Sequence, residues 1–329
     1  MPAPRSVAIL GAGQIGFAAA QTFTEGGWQV RVFARSRPAW LAQIASDFQK
    51  WKRGDPVPAA EVVLDTIAYD AADLADCRPD EIGRLIAVSS ASVYRNAAGR
   101  TLDEAAVNGF PEFAGPVTEQ QITVAPGPRT YSTRKVRMEQ AALVRFKENA
   151  AILRPCAIHG SWSRHLREWW FVKRLLDGRR LIPLALEGQS RFQTTSAKVI
   201  ADFALHAAEG EIGGVFNLAD GHSPTVRQIG AAIMGVLGLD AQLVPFSGTP
   251  ESNVGRTPWS VPKPFITSAA KAAGTGFPAT LTYSDAVIPA AKWLQSHAPK
   301  DWQAAFPQLA IYPWNLFDYP AEDAMLEKL

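Results

Sequence analysis

Short apolar runs alternate with longer amphipathic segments along most of the chain, which predicts strands and helices in turn. Strands are predicted at Ser6–Leu10, Gln29–Ala34, 62–67, 85–89, 151–154 and 215–218. Helices are predicted at 15–25, 38–48, 131–148, Trp169–Leu176, 199–209 and Val226–Leu237. Because strands that alternate with helices usually pair in parallel through right-handed crossovers, the pattern predicts an α/β fold with a doubly wound parallel sheet.

The first predicted strand ends in a glycine-rich turn, GAGQIG at residues 11–16, and this turn opens the next helix. In such a position Gly11 makes the tight turn, Gly13 lets the backbone approach a pyrophosphate, and Gly16 lets the helix pack closely on the strand. The helix N-terminus would add amide donors and partial positive charge. The motif therefore predicts a Rossmann-type dinucleotide site, with a structural turn as the alternative.

The end of the second predicted strand bears on the choice of cofactor. An NAD site usually carries an acidic residue there for the ribose hydroxyls, whereas this chain continues with Arg35, Ser36 and Arg37. Two guanidinium groups and a hydroxyl suit a 2′-phosphate. We therefore predict NADP(H) as the cofactor, with NAD as the second choice and a solvated basic loop as the alternative.

Three residues could carry acid–base chemistry. Tyr131 and Lys135 lie four apart at the start of a predicted helix and so share one face. A nearby ammonium would lower the pKa of the phenol, and Tyr131 could then exchange a proton with a substrate oxygen. Ser90 follows a predicted strand at its carboxyl end, where ligands of open parallel sheets bind. Its hydroxyl could hold the reacting oxygen, with a polar strand-end turn as the alternative.

Four motifs occur in a recognisable order: GxGxxG at 11–16, SSxxVY at 89–94, YxxxK at 131–135 and LRPxxIxG at 153–160. Together, over about residues 6–237, they resemble the extended short-chain dehydrogenases/reductases, the NAD-dependent epimerase/dehydratase family. The resemblance implies that Ser90 is the catalytic serine, Tyr131 the acid/base and Lys135 its partner. The cofactor contacts that it implies are Gly11, Gly13, Gln14, Ile15, Gly16, Ala68, Tyr131, Lys135, Pro155 and Ile158.

Substrate contacts are less strongly implied. Ser92 lies in the serine motif, and Arg191 lies in a segment resembling one whose arginine contacts a sugar-nucleotide phosphate. His159 could reach substrate, or it could be a packed or solvated histidine. Ala157 stands where many sugar-nucleotide members carry asparagine, which weakens the sugar-nucleotide pattern. A basic group at Arg164, Arg167, Lys173 and Arg174 is either a solvated face or an attractant for an anionic substrate.

The chain departs from the family pattern in two segments. The crossover after residue 68 is too short for the usual long helix, which the family uses for dimerisation, so a monomer and a homodimer both remain open. Residues 108–123 look inserted between the serine and tyrosine motifs. We expect this insertion at the mouth of the active site, with a surface loop as an equal alternative.

Composition excludes several classes of protein. The 329 residues carry a net charge of +2, which gives no footprint for nucleic acid or an anionic membrane. Two cysteines, Cys77 and Cys156, form neither a metal spacing nor a disulfide framework. No apolar run reaches the ~18 residues of a membrane span. The sequence predicts a cytoplasmic protein without a metal site.

We therefore expect residues 1–155 to form an NAD(P)-binding Rossmann domain, with returning segments near 190–220, and residues 156–329 to form mainly a smaller substrate-binding lobe. The predicted function is an NAD(P)(H)-dependent oxidoreductase or epimerase. It would act on a hydroxyl or carbonyl carbon of a small or nucleotide-linked substrate. The alternative is a non-catalytic cofactor-binding scaffold or a nucleic-acid-binding relative, although the near-neutral charge argues against nucleic acid.

Overall fold

The computed structural model describes residues 5–248 and 253–328, and a seven-stranded parallel sheet is its centre. The strands, in chain order, are β1 (Ser6–Leu10), β2 (Gln29–Ala34), β3 (Asp47–Lys50), β4 (Ala60–Asp65), β5 (Ile82–Val88), β6 (Ala150–Pro155), β7 (Ile158–His159), β8 (Leu181–Leu184), β9 (Thr195–Ser196), β10 (Gly214–Leu218) and β11 (Gln242–Pro245). The central sheet has the order β10-β6-β5-β4-β1-β2-β3, and β7 pairs with β9 while β8 pairs with β11. The predicted α/β class and doubly wound parallel sheet are confirmed.

Helices cover both faces of the sheet and build the second lobe. They are α1 (Gln14–Glu25), α2 (Ala105–Asn108), α3 (Tyr131–Phe146), α4 (Trp169–Leu176), α5 (Ala197–Glu209), α6 (Val226–Leu237), α7 (Ala270–Ala273), α8 (Tyr283–Ala286), α9 (Ile288–Ser296), α10 (Trp302–Ala305), α11 (Pro307–Ala310) and α12 (Tyr319–Leu326). α1 packs with α5 on one face, around Phe23 and Phe203, and α3 covers the other face with Met138. A separate apolar core joins α4, α6 and α9 around Trp170 and Trp259.

The order of the strands around β1 indicates where a ligand would bind. β1 pairs with β2 on one side and with β4 on the other, so the chain changes direction across the sheet at β1. The carboxyl ends of the strands at such a point form a crevice, because the loops on the two sides diverge. The glycine-rich turn at 11–16 opens directly into it.

The predicted helix at 38–48 is wrong. A 3-10 turn at Ala39–Gln43 is followed by β3, which pairs in parallel with β2 at the edge of the sheet. Trp40 and Leu41 are buried and anchor the turn. Strand pairing at the edge therefore overrides the local preference of this segment.

The shortened crossover between β4 and β5 is as predicted. It holds only a 3-10 turn at Ala71–Leu74. Arg145 on α3 donates hydrogen bonds to the carbonyls of Ala75 and Cys77, so α3 itself holds this segment. None of the described helices is both long enough and apolar enough to span a bilayer.

Candidate active site

The glycine-rich turn has the geometry that a dinucleotide requires. Gly11 has φ +110°, and a Cβ there would lie 2.3 Å from Thr66 Oγ1, while a Cβ on Gly16 would lie 2.1 Å from the Gly11 carbonyl. A Cβ on Gly13 would meet no atom within 4 Å, because it would project into open space. The indole of Trp40 fixes the turn by donating to the Ala12 carbonyl at 3.0 Å.

A cleft of about 890 Å³ extends from this turn. The N-terminus of α1 carries no side-chain cap, so its amides are available to an anion. Gln14, its first residue, has a buried Oε1 without a hydrogen-bond partner. The open space beside Gly13 and the uncapped amides fit a dinucleotide pyrophosphate, whereas the Gln14 oxygen can only accept a hydrogen bond, as from a ribose hydroxyl. Ile15 lines the same cleft.

The basic residues after β2 divide between the cleft and the surface. Arg35 and Ser36 are exposed and line the cleft, whereas Arg37 is exposed but does not line it. Lys52 adds a second cation to the lining. Arg53 also reaches the cleft, but its guanidinium is committed to the buried carboxylate of Asp65 at 2.9 Å.

A second cavity, of about 600 Å³, adjoins this cleft. The two share Gln14, His165 and Gln308, so they form one continuous depression. The catalytic cavity, as we call the second one, includes two groups of sequence-predicted residues in its lining. These are Ser90, Ser92 and Tyr131 from the catalytic motifs and Pro155 and Ile158 from the segment after β6.

Lys135 lies beneath this cavity and is buried. Its Nζ donates to the Ala68 carbonyl at 2.6 Å and to the Val88 carbonyl at 2.9 Å, and it lies 5.6 Å from the centroid of the Tyr131 ring. Burial lowers the pKa of Lys135 to about 8, although Asp65 acts in the opposite direction. Because an ammonium has three N–H donors, one remains for a ligand.

The predicted lowering of the Tyr131 pKa is not found. Burial raises the pKa of Tyr131 to about 12; a hydrogen bond with Ser90 opposes this rise, and Asp103 and Tyr69 add to it. The Lys135 ammonium lies against the ring, and it is shared with two carbonyls. The charge of Lys135 therefore does not outweigh the effect of burial on the pKa of the Tyr131 hydroxyl. Tyr131 is protonated at neutral pH and can act as an acid.

Hydrogen bonds fix the two segments that carry the predicted catalytic residues to each other. The Ser132 hydroxyl donates to the Ser92 hydroxyl at 2.8 Å, and the Ser132 amide donates to Asp103 at 2.8 Å. Thr130 and Thr133 form a capping box at the start of α3. The first turn of α3, which carries Tyr131, is therefore tied to the turn after β5.

A buried ion pair lies behind the serine turn. Arg154 on β6 binds both carboxylate oxygens of Glu139 on α3, at 2.9 and 2.5 Å, and the Ser89 hydroxyl donates to the same carboxylate. Arg154 also donates to the Tyr94 hydroxyl at 2.9 Å, and Tyr94 donates to Asn217 on β10. This network fixes the ends of β5, β6 and β10 beneath Ser90.

Two of the predicted substrate residues lie away from both cavities. His159 is buried, and its Nε2 lies 2.8 Å from Asp220 Oδ2, which raises the histidine pKa although burial opposes the rise. Arg191 donates twice to the Ser223 carbonyl, at 3.0 and 2.7 Å. Neither lines the cleft or the catalytic cavity, so their positions do not support substrate contact.

For the segment 108–123, the structure disfavours the first of the two expected positions, the mouth of the site. None of its residues lines the cleft or the catalytic cavity. Val117 instead exchanges backbone hydrogen bonds with Ile266 and Ser268, and Glu119 accepts from the Asn217 amide at 2.7 Å. The insertion therefore packs against the end of β10 and does not form the mouth of the site.

Several site residues were missing from the sequence prediction. Gln308 and Ile311 line the catalytic cavity, and Trp162 and Tyr69 line the cleft. Arg167, which the sequence left as either a solvated residue or an attractant for an anionic substrate, also lines the catalytic cavity. Arg167 belongs to the basic group of residues 164–174, but that group also contains Arg174, which is buried against Glu322. The positions of Arg167 and Arg174 in the sequence do not show which of them faces the cavity and which is buried in an ion pair. Within the described residues, no group of three or more His, Cys, Asp or Glu side chains could hold a metal ion.

No protein-family profile and no curated protein sequence matches the chain. Solved structures do. UDP-glucuronic acid 4-epimerase from Bacillus cereus in complex with NAD is 16% identical, with a TM-score of 0.67 over 89% of this chain and 100% of that one. dTDP-glucose 4,6-dehydratase from Bacillus anthracis in complex with NAD is 15% identical, with a TM-score of 0.66 over 91% and 98%. This chain has their fold. The resemblance to the extended short-chain dehydrogenases/reductases is confirmed at that level.

Proposed function

We propose that this protein is an NAD(P)(H)-dependent member of the extended short-chain dehydrogenases/reductases. It would oxidise or reduce a carbon bearing a hydroxyl or carbonyl group. The observation that carries the proposal is that Ser90 and Tyr131 line a cavity continuous with the glycine-turn cleft. The matched epimerases and dehydratase act on nucleotide sugars, which supports the same type of chemistry here.

Each catalytic side chain has a role that its contacts allow. The bound nicotinamide would supply or accept the hydride. The Ser90 hydroxyl would hold the reacting oxygen, and the Tyr131 hydroxyl would give that oxygen a proton or take one from it. Lys135, held by the Ala68 and Val88 carbonyls, would direct its remaining N–H into the cofactor cleft.

Tyr131→Phe tests this assignment. The variant should lose turnover by about a thousandfold or more, because general acid–base catalysis contributes roughly 10²–10⁴-fold, while cofactor affinity stays nearly unchanged. Tyr319→Phe in the second lobe is the control and should keep full activity. Turnover that survives Tyr131→Phe would refute the mechanism. Wild-type protein that binds cofactor and turns over no carbonyl or sugar-nucleotide substrate would favour a non-catalytic scaffold.

For the cofactor we propose NADP(H), on the basis of Arg35, Ser36 and Lys52 in the cleft lining. The matched structures named above contain NAD, so they support the dinucleotide and not the 2′-phosphate. Fluorescence titration with NADPH and NADH decides between them. Arg35→Ala should lower the affinity for NADPH about tenfold and leave the affinity for NADH unchanged, since a hydrogen bond to a charged group contributes ~1.5–3 kcal/mol. Arg37→Ala, outside the cleft lining, should change neither; equal affinity of the wild type for both cofactors would overturn the NADP proposal.

The weakened sugar-nucleotide pattern favours a reductase or an atypical epimerase. Arg191, the residue that resembles a phosphate-binding arginine, is bound to the Ser223 carbonyl. A reductase consumes NADPH in net turnover, whereas an epimerase returns its cofactor unchanged. Loss of NADPH absorbance with a carbonyl substrate would identify the reductase, and product formation without net cofactor change would identify the epimerase.

A further inference from the structure

The lining of the catalytic cavity carries one charged side chain among the residues that the structure describes, the guanidinium of Arg167. No aspartate or glutamate lines this cavity. His165 is neutral there, because burial, aided by the charge of Arg167, lowers its pKa to about 3. Tyr131 is also neutral at physiological pH. The side chains of the lining therefore carry a net charge of +1, and the Lys135 ammonium beneath the cavity is shared with two carbonyls.

Arg167 differs from the other arginines of the interior. Arg154 pairs with Glu139, Arg174 with Glu322, and Arg53 with Asp65. Arg167 is half-buried, and within residues 5–248 and 253–328 no side chain or carbonyl accepts a hydrogen bond from its guanidinium. The neighbouring acid, Glu168, is buried and accepts a hydrogen bond from Tyr283 at 3.0 Å. The charge of Arg167 is thus directed to whatever fills the cavity.

We propose that Arg167 binds a carboxylate of the substrate inside the catalytic cavity. The inference rests on the proposed function, since it assumes that this cavity holds the reacting molecule. A guanidinium binds a carboxylate through two parallel hydrogen bonds. One cation balances a monoanion, whereas a phosphate monoester carries about −1.5 to −2 charge and would leave excess charge in this cavity. Ser92 and Gln308 lie in the same lining and can donate further hydrogen bonds.

The placement of Arg191 strengthens this assignment. Its guanidinium is bound to the Ser223 carbonyl and lies outside the cavity lining. Recognition of an anionic group in the cavity therefore falls to Arg167. The substrate class is a hydroxy or oxo compound with a carboxylate, either free or as the sugar acid of a nucleotide.

Thermal unfolding of the full chain, with and without NADPH, tests binding independently of turnover. The probes are matched acid and neutral pairs at equal ionic strength: UDP-glucuronic acid against UDP-glucose, and glucuronate against glucose. Inorganic phosphate is added as a separate anion. The variants are Arg167→Met and Arg167→Lys. The control is Arg227→Met, which removes an exposed arginine of α6 outside both cavities.

We expect at least one acid to raise the Tm of the wild type above its neutral partner. Arg167→Met should weaken the binding of that acid by about 10–100-fold and leave the binding of the neutral compound unchanged, since hydrogen bonds to charged groups contribute ~1.5–3 kcal/mol. Arg167→Lys should restore part of the preference, and Arg227→Met should behave as the wild type.

Equal shifts by acid and neutral partners in the wild type would overturn the proposal, as would an acid preference that survives Arg167→Met. If phosphate stabilises the wild type, neither acid does, and the stabilisation by phosphate is lost in Arg167→Met, then Arg167 binds a phosphate and the carboxylate proposal is overturned. The NADPH titration separates the two levels of inference. If NADPH fails to bind while the acid preference depends on Arg167, the proposed function fails and the carboxylate site stands.

Discussion

The two sides of the catalytic cavity differ in how the charged groups in the lining or directly behind it are paired. On the sheet side, Lys135 donates to two carbonyls and Arg154 binds both oxygens of Glu139. On the side of the second lobe, Arg167 lines the cavity beside Gln308, and none of residues 5–248 and 253–328 accepts a hydrogen bond from its guanidinium. The charged groups of the sheet side are therefore fixed by the protein itself, whereas on the lobe side a guanidinium is left for the ligand that we propose.

This difference predicts opposite effects on stability and on substrate binding. Removing either member of the Arg154–Glu139 ion pair on the sheet side leaves the other charge buried and unpaired, which costs folding free energy. Removing Arg167 from the lobe side should change the free energy of unfolding little and weaken substrate binding strongly.

Glu139→Gln should have the largest effect. It leaves Arg154 buried with no carboxylate, and we expect the free energy of unfolding to fall by about 3–5 kcal/mol. Arg167→Met should change this free energy by less than about 0.5 kcal/mol, because the guanidinium has no hydrogen-bond acceptor among the described residues. Urea denaturation of the two variants compares the walls directly. If Arg167→Met costs as much as Glu139→Gln, Arg167 is a structural residue and the contrast between the walls is false.

Gly13→Val sharpens the comparison on the sheet side. A Cβ at this position would meet no protein atom within 4 Å, so we expect the valine side chain to enter the space proposed for the pyrophosphate. We expect NADPH affinity to fall by about 100-fold or more, with a loss of only a few degrees in Tm. Gly11→Ala is the contrasting variant, since its Cβ would lie 2.3 Å from Thr66 Oγ1 and should lower the Tm much further. If the affinity for NADPH is unchanged in Gly13→Val, the cofactor does not bind at this turn.

The same contrast explains what the sequence could predict. Gly13, Tyr131 and Lys135 lie in regular elements with local motifs, so their placement followed from strand, turn and helix patterns. β3 was missed because its pairing with the edge of β2, and not its own pattern, makes it a strand. Arg167 lies in irregular structure, where no periodicity indicates which way a side chain points.

The residues that line the cavity from the C-terminal segment were beyond prediction for a related reason. Gln308 and Ile311 line the same cavity as Tyr131 because distant segments pack together, and packing at such sequence separation leaves no local signal. The alternatives left open for His159 and for the 108–123 insertion could not be resolved from the sequence for the same reason. Both lie next to catalytic motifs in sequence, but long-range contacts with Asp220 and with Asn217 carry them away from the cavity.

The pH dependence of turnover tests whether Lys135 acts as a cation. Its pKa is lowered to about 8, while that of Tyr131 is raised to about 12. If the charge on Lys135 assists catalysis, kcat/KM should fall about tenfold per unit as pH rises above 8, well before Tyr131 ionises. Lys135→Arg should move this decline to higher pH, because a guanidinium stays protonated. A profile that stays flat up to pH 10 would assign Lys135 a role in hydrogen bonding alone.

Stability should change with pH in the opposite sense. The pKa of Lys135 is about 8 in the folded protein, and an unfolded lysine has its ordinary value near 10.4. Between these values the unfolded chain binds more protons, so the contribution of Lys135 to the free energy of unfolding rises with pH across that window. Below pH 8 both states are protonated and its unfavourable contribution is at its largest. Urea denaturation of wild type and Lys135→Met across this range isolates the contribution.

Ile311→Ala should have the smallest effect, and it reports on the lobe side alone. Ile311 is 80% exposed and lines the catalytic cavity, so truncation removes little packing from the protein. We expect KM to rise a few-fold, with kcat and the free energy of unfolding unchanged, because an exposed contact is formed only with substrate. Val144→Ala on α3 is the matched control, being 76% exposed and outside both cavities. If both variants leave KM unchanged, the C-terminal segment does not contact the substrate and recognition on that wall rests with Arg167. If Ile311→Ala lowers kcat as well, the segment also shields the reacting groups from water, and the lobe side takes part in catalysis.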